Sequence, residues 1–590
     1  MTTSAPQTVV ADRPVGAQTP RRTGLRREIG FIGLLWASAG SIIGSGWLFG
    51  AQEALIAAGP AAIISWVIGA LAIFLLALTH AELGGMWPVA GGTARFPHYA
   101  FGGGAGASFG WFSWLQAATV APIEVLAMIT YGQHYSFASD WMKTSSGTSV
   151  LTAKGIVAAV ILMAIFTSIN FLGIRKLANT NSAATWWKVG VPLLTIFVLG
   201  IVNFHASNFT AADGFSPFGA KGVLAAVSTS GIIFALLGFE QADQLAGESA
   251  RPKRDIPRAV IFSVIIGAVI YVALQVVFLG ALPSSAIGHS WAHGAYTQMT
   301  GPFAQLTTLV GVGWLAAILY FDAIISPGGT GLIYTTSSSR VSYGLSRNGY
   351  FPTAYEATDR RGVPWFGLVT AFVVGCVCFL PFPSWTSLVG LITAASVLMY
   401  AGAPLAFGAF RRRLPHAERP WRAPAGSVLA PLAFVVANLL ILWSGWDTVW
   451  RLGVAIAIGY VILVATRVFR LNSHSPELDL KAASWLPFYL VGMGAIIYLS
   501  DFGPTSHQLF GQLGPTPNWF PLWWDMVAVA IFSTIIYYWA IAVALPTHRI
   551  EEMIGDVVLP EEEGIAAADE PMTRAGEPLS REDEPLTRDV

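Results

Sequence analysis

The stretch Ile42-Ile43-Gly44-Ser45-Gly46 sits in the middle of a run, Phe31 to Gln52, that has no charged side chain. A run of that length crosses a bilayer as a helix, which takes about 20 residues. Its centre, however, holds Gly and Ser, which least favour a continuous helix or compete for its backbone. In hydrocarbon a free N–H is costly, so a broken helix persists only where protein or a polar cavity satisfies the freed groups. A break at mid-depth therefore predicts a binding site. A half-helix starting at Gly46 would present N–H groups and a positive dipole end suited to a carboxylate. The competing reading is close helix packing, because Gly46 and Gly50 have the small-xxx-small spacing.

Composition agrees with a membrane setting. Of 590 residues, 54% are hydrophobic and 11% charged, against about 25% charged in soluble domains. The formal net charge is zero, which argues against a nucleic-acid partner. Cys376 and Cys378 lie two apart in an apolar run, which excludes a disulfide framework and offers no zinc site. Residues 1–28 are polar and lack the apolar core of a signal peptide, so they read as a disordered cytoplasmic tail. Residues 547–590 read as an acidic disordered cytoplasmic tail.

Hydropathy marks about 14 spans. They centre near Gly40, Leu71, Thr119, Met163, Leu194, Phe234 and Gly267, then Asp322, Val373, Val397, Val436, Tyr460, Ala495 and Phe532. Arginine-rich loops follow the sixth span (Arg251, Arg254, Arg258), the eighth (Arg340, Arg347, Arg360, Arg361) and the tenth (Arg411, Arg412, Arg413, Arg419, Arg422). The opposite loops are poor in basic residues, so the positive-inside rule puts both termini in the cytoplasm.

The sixth span repeats the first feature. It runs uncharged from Gly222 to Phe239 and meets Gly238-Phe239-Glu240-Gln241 near mid-membrane. If spans one to five and six to ten are repeats, both interruptions fall in the first span of each, and an odd repeat length inverts the second copy. Gly-interrupted spans at matching positions of two halves point to a secondary transporter's midplane site.

Four ordered motifs carry a resemblance over about Arg27 to Pro424. They are Ser41-Ile42-Ile43-Gly44-Ser45-Gly46-Trp47-Leu48-Phe49, Trp87-Pro88-Val89-Ala90-Gly91-Gly92, Phe234-Ala235-Leu236-Leu237-Gly238-Phe239-Glu240 with Gly247 to Ala259, and Ser339-Arg340-Val341-Ser342-Tyr343-Gly344-Leu345-Ser346-Arg347-Asn348-Gly349. Together they resemble the amino acid–polyamine–organocation superfamily, within the leucine-transporter-like fold. The resemblance implies an all-α integral membrane protein with a 5+5 inverted-repeat core, discontinuous helices 1 and 6, and about 14 transmembrane helices. It divides the chain into a first repeat at 29–205, an inverted second repeat at 222–410, and helix pairs at 427–470 and 484–546.

The resemblance also implies a substrate site. An amino acid's carboxylate would rest on the N–H groups of Ser45 and Gly46, with Gly44 permitting the turn. Its ammonium would donate to carbonyls of Ile42, Phe234 and Leu237, with Gly238 at the second interruption and Phe234 as an aromatic lid. Backbone contacts of this kind select any α-amino acid.

Three intramembrane charges are candidates for proton coupling: Lys188, Glu240 and Asp322. A lysine at this place in helix 5 resembles a substitute for a sodium ion bridging helices 1 and 8; the alternative is snorkelling beside Trp186 and Trp187. Glu240 reads equally as a proton carrier or as a structural acceptor for loose N–H groups. Asp322 either pairs with Lys188 or stays free to set substrate choice. Gln116 and Glu124 are further polar candidates, Glu124 with a possible position near the outer surface.

The expected function is a proton-coupled symporter importing an amino acid, with an acidic one favoured, across the plasma membrane by alternating access. An amino acid/amine antiporter is the alternative, and a non-transporting sensor ranks below it. No enzyme constellation is visible, the proton is the coupling ion, and no other cofactor or metal is implied. The oligomeric state is open.

Overall fold

The computed structural model describes residues 29–88, 92–145, 148–171, 174–504 and 519–555. The tail 1–28 lies outside the described residues, as does the tail beyond 555.

The first apolar run forms two helices, α1 (Phe31–Ile42) and α2 (Gly46–Ala58), separated at Ile43-Gly44-Ser45. There follow α3 (Ala62–Met86), the long α4 (Gly92–Gly132), α5 (Ala153–Asn170) and α6 (Ile174–Val202). The second interrupted segment comprises α7 (Gly219–Thr229), a single turn α8 (Ile232–Ala235) and a second single turn α9 (Gln241–Gln244). Next come α10 (Pro252–Ala281), the short α11 (Ser284–Ile287) and α12 (Pro302–Leu309), and α13 (Gly313–Arg347). The chain continues through α14 (Trp365–Cys378), α15 (Trp385–Tyr400), α16 (Gly402–Arg413), α17 (Gly426–Trp443), α18 (Trp446–Val468), α19 (Trp485–Leu499) and α20 (Trp524–Val543).

Each of the hydropathy centres falls inside a helix. Among the described residues, 10 helical segments are long and apolar enough to cross a membrane, and Phe31–Ile42, Gly219–Ala235, Trp365–Cys378 and Trp485–Tyr498 are shorter apolar helices. Two of the shorter ones end where the backbone breaks.

Burial separates the centre from the rim. α4 and α15 are almost wholly buried, whereas α18 exposes Val454, Ile458, Val461, Val464 and Val468 along one face, as a lipid-facing helix should. Gly102 bends α4 with a φ of 78°, a left-handed conformation that glycine adopts without steric cost.

At the end of α3, Glu82 is 1% exposed and is held by two arginines. Arg411 binds it through two parallel hydrogen bonds, Nε to Oε1 at 3.0 Å and a terminal nitrogen to Oε2 at 2.6 Å. Arg419 adds an ion pair at 3.3 Å, and the Ala423 N–H donates to Oε2 at 2.7 Å. Bidentate arginine pairing of this kind fixes geometry as well as charge, so α3 is locked to the end of α16.

Three sequence expectations need correction. The fold is not purely helical: Met142–Ser145 and Thr148–Leu151 form an antiparallel hairpin with Met142 opposite Leu151, a pairing too short to give a strand signal amid long helices. Residues 547–555 are helical rather than disordered. Ile550 and Ile554, four apart, are both buried and give this acidic segment one apolar face. The sixth span is interrupted more widely than Gly238 alone suggests. Gly231, with a φ of 84°, separates α7 from α8, and non-helical turns then occupy 236–240.

Candidate functional site

The two interruptions meet. A Cβ on Gly238 would lie 2.8 Å from the Ile42 nitrogen and 2.8 Å from the Ser41 carbonyl carbon, and one on Gly46 would lie 2.8 Å from the Ala235 Cα. Only glycine at both points lets two backbones approach this closely. Ser38 adds a clasp: its hydroxyl donates to Phe239 O at 3.0 Å and accepts from Ala242 N at 3.1 Å.

Between the breaks is a narrow cavity lined by Ile42, Gly44 and Gly46 from the first, Phe234 and Leu237 from the second, Glu124 from α4, and Thr330 and Tyr334 from α13. Its volume of about 10 Å³ is room for about one water. Admitting an amino acid therefore requires a lining side chain to move.

The side chain in the way is Glu124. It is completely buried, and its Oε2 accepts a hydrogen bond from Ser45 N at 2.9 Å. A carboxylate thus occupies the very N–H to which the sequence resemblance assigns a substrate carboxylate. Its other oxygen has no protein donor. The expected outer-surface position of Glu124 is overturned: Pro122 does not end α4, which continues to Gly132.

Gly44 has a role other than the one expected. Its φ is not positive, so no left-handed turn requires glycine there. A Cβ at Gly44 would instead meet Glu124 Oε1 at 2.6 Å and Thr330 Oγ1 at 3.0 Å. The missing side chain makes room for two polar groups.

The carbonyls assigned to the ammonium are partly engaged. Ile42 O accepts from the Tyr271 hydroxyl at 2.9 Å and from Gly44 N at 3.1 Å, and Phe234 O accepts from Leu237 N at 3.2 Å. Each carbonyl oxygen has two lone pairs, so Ile42 O is already filled by these two donors and must release one to take an ammonium, while Phe234 O keeps a free lone pair. Phe234 lines the cavity and packs edge-on against Trp385, with ring centroids 5.9 Å apart. Trp385 also donates from Nε1 to Ser45 Oγ at 2.9 Å and stacks on Phe49 at 4.9 Å. No sequence signal marks Trp385, since its partner Ser45 is 340 positions away.

Lys188 does not snorkel. It is fully buried, and its ammonium donates to Gly40 O at 2.5 Å and to Thr330 Oγ1 at 2.7 Å. It therefore bridges α1 and α13 from α6, next to the first break. Asp322 does not pair with it: Asp322 Oδ1 instead accepts from Trp187 Nε1 at 2.8 Å and from Ser326 Oγ at 2.7 Å. Asp322 is not among the cavity-lining residues.

Glu240 is saturated with donors. Gly238 N at 2.9 Å and the Tyr400 hydroxyl at 2.5 Å reach Oε2, while Gln116 Nε2 at 3.1 Å and the Tyr334 hydroxyl at 3.0 Å reach Oε1. This arrangement favours the structural-acceptor reading, because each carboxylate oxygen already accepts two hydrogen bonds, tying together four donors from three helices and the second break. Asp243, one turn on, is the opposite case: it is fully buried and, among the described residues, neither carboxylate oxygen has a hydrogen-bond partner.

A family model described as amino acid permease matches residues 29–532. The chain is 36% identical to the glutamate/serine transporter AimA of Bacillus subtilis, over 90% of this chain and 96% of that one. It is 33% identical to the aspartate-proton symporter of the same organism, over 89% of this chain and 98% of the relative. The branched-chain amino acid permease BcaP, also from Bacillus subtilis, is 27% identical over 76% of this chain and 94% of its own length.

Proposed function

Because the chain belongs to the amino acid permease family, we propose that it is a proton-coupled symporter importing an acidic amino acid across the plasma membrane. That it is a multi-pass permease and not an enzyme follows from the family itself. The observation that carries the proposal is the abutment of the two uncoiled segments, which brings backbone donors near Ser45 and carbonyl acceptors near Leu237 to one cavity. Bare peptide dipoles of both signs suit a zwitterion.

In this reading residues 29–205 and 222–410 are inverted five-helix repeats, 427–470 and 484–546 add two helix pairs to make about 14 spans, and both termini are cytoplasmic. The spans numbered 1, 2, 6 and 7 rock against the rest around the fixed site. The substrate carboxylate takes the Ser45 and Gly46 N–H groups, the ammonium takes the carbonyls of Ile42, Phe234 and Leu237, and Lys188 exchanges the coupled proton. Two of these relatives, whose names include glutamate and aspartate, support an acidic substrate.

Uptake of labelled glutamate into proteoliposomes, competed by each of the other amino acids, tests this reading. An inward proton gradient is expected to drive accumulation, with aspartate the strongest competitor. Uptake that depends strictly on amino acid or amine preloaded inside would replace symport by exchange.

Glu124 gives a sharper expectation. Substrate must displace Glu124 from Ser45 N, and in its ionised form Glu124 holds that N–H by about 1 kcal/mol more than a neutral amide does. Glu124→Gln is therefore expected to lower the KM for glutamate roughly fivefold and to flatten its dependence on pH. An unchanged KM with an unchanged pH profile would show that the two carboxylates do not compete.

A further inference from the structure

Away from the cavity between the breaks, three helix ends enclose a second and larger one of about 780 Å³. Its walls come from the end of α16, the start of α17 and the last turns of α20, and include Arg412, Arg422, Ser427, Tyr538 and Ile541. α17 and α20 are spans by length and composition, and α16 ends the span Trp385–Arg413, so these ends place the cavity at one face of the membrane. By the arginine count that face is the cytoplasmic one.

Its charge is unbalanced. Arg411 also lines it but is engaged with Glu82. Arg412 and Arg422 are both exposed, and among the described residues neither is paired with a carboxylate. Among the described residues, no acidic side chain lines the cavity. At the mouth of α17, Val428 and Leu429 donate to Ala425 O, while among the described residues the N–H groups of Gly426 and Ser427 have no backbone acceptor. Two free guanidinium groups, two free amides at a helix N-terminus and the Ser427 hydroxyl form an arrangement suited to a phosphate.

The opposite wall, from α20, is formed by Tyr537, Tyr538 and Ile541. Below it, outside the cavity, Ile535 and Ile531 continue the exposed face of Tyr538 at helical spacing, the three being 59%, 58% and 58% exposed. Tyrosine is favoured at headgroup depth. An occupant with an anionic head at Arg412 and Arg422 and a hydrocarbon chain along Ile535 and Ile531 satisfies both walls. A free phosphate satisfies only the first.

We propose that this cavity is a binding site for an anionic phospholipid, seated where α16, α17 and α20 end. The lipid neutralises Arg412 and Arg422 and lies beside the Arg411–Glu82 clamp that locks α3 to α16. Basic clefts between spans at the cytoplasmic face suit such headgroups, each arginine contributing modestly to attraction to an anionic leaflet.

The full chain, purified in detergent and titrated with phosphatidylglycerol or phosphatidylcholine while binding is followed by native mass spectrometry, tests the proposal. Phosphatidylglycerol is expected to bind in preference, and the double variant Arg412→Gln, Arg422→Gln to bind it roughly 30-fold more weakly. Both residues are exposed, so the variant should keep the wild-type unfolding temperature in detergent without added lipid. A third arm uses inorganic phosphate as competitor, which is expected to displace the lipid poorly. Equal binding of the two lipids, equal binding by the double variant, or full displacement by phosphate would each overturn the assignment.

Discussion

Lys188→Ala is expected to abolish uptake driven by a proton gradient while leaving counterflow of labelled for unlabelled amino acid measurable. The wild-type ammonium ties Gly40 O, just before the first break, to Thr330 Oγ1 on α13. Truncation leaves a buried carbonyl and a buried hydroxyl without their donor, each loss worth about 1–3 kcal/mol. If both penalties fall on the transport cycle, the driven rate drops roughly 30-fold or more. It also removes the titratable group that Thr330 links to the cavity, since Thr330 lines the cavity and contacts the lysine. Uptake at several external pH values, run beside counterflow at one pH, separates coupling from binding. If the variant keeps the wild-type pH dependence, Lys188 is a structural clamp and the proton travels elsewhere, with Asp243 the next residue to replace.

Gly238→Ala is expected to have the other large effect. The residue has a φ of 117°, a conformation that costs a residue with a Cβ about 1–3 kcal/mol. The added methyl would also lie 2.8 Å from each of three atoms of Ser41 and Ile42, two of them backbone, and overpacking costs about 1–3 kcal/mol more. The sum, roughly 2–6 kcal/mol, is a large part of a typical folding stability of about 5–15 kcal/mol. Neither break can yield without separating the two halves of the site. Uptake should be lost, and thermal unfolding should shift down by many degrees. Gly328→Ala on α13 is the control, because a Cβ there meets nothing within 4 Å, and it is expected to stay near wild type. Wild-type uptake by Gly238→Ala would mean that the breaks do not need their close approach.

The helical framework was readable along the chain because hydrocarbon demands long apolar runs, and each run names its own centre. The first break was readable for the same reason: Gly44-Ser45-Gly46 is conspicuous where everything around it favours a helix. The second was only half readable. Gly238 stands beside Glu240, but Ser230-Gly231 looks like an ordinary small-residue step, and only the left-handed backbone at Gly231 reveals it as a break.

The site's side chains were harder. Lys188 stood out as a charge in an apolar run, whereas Glu124 sits between Pro122 and the end of a long helix and gives no sign of its depth. Trp385 is one of 22 tryptophans, and nothing local distinguishes it from those at the membrane surface.

The sequence by itself therefore determined that this protein spans a membrane, where its helices run, that the first of them is broken, and which family's motifs it carries. Tertiary structure alone decided that the two breaks touch, that Glu124 covers Ser45, that Lys188 reaches Gly40 and Thr330 instead of Asp322, and that Glu240 is saturated while Asp243 finds no partner among the described residues. The reason is physical. Span and break follow from solvation of each segment in hydrocarbon, a property of consecutive residues. Which polar groups meet depends on the rotation and packing of helices whose lipid and protein faces are equally apolar, so the pattern along one helix does not say which way its few polar side chains point.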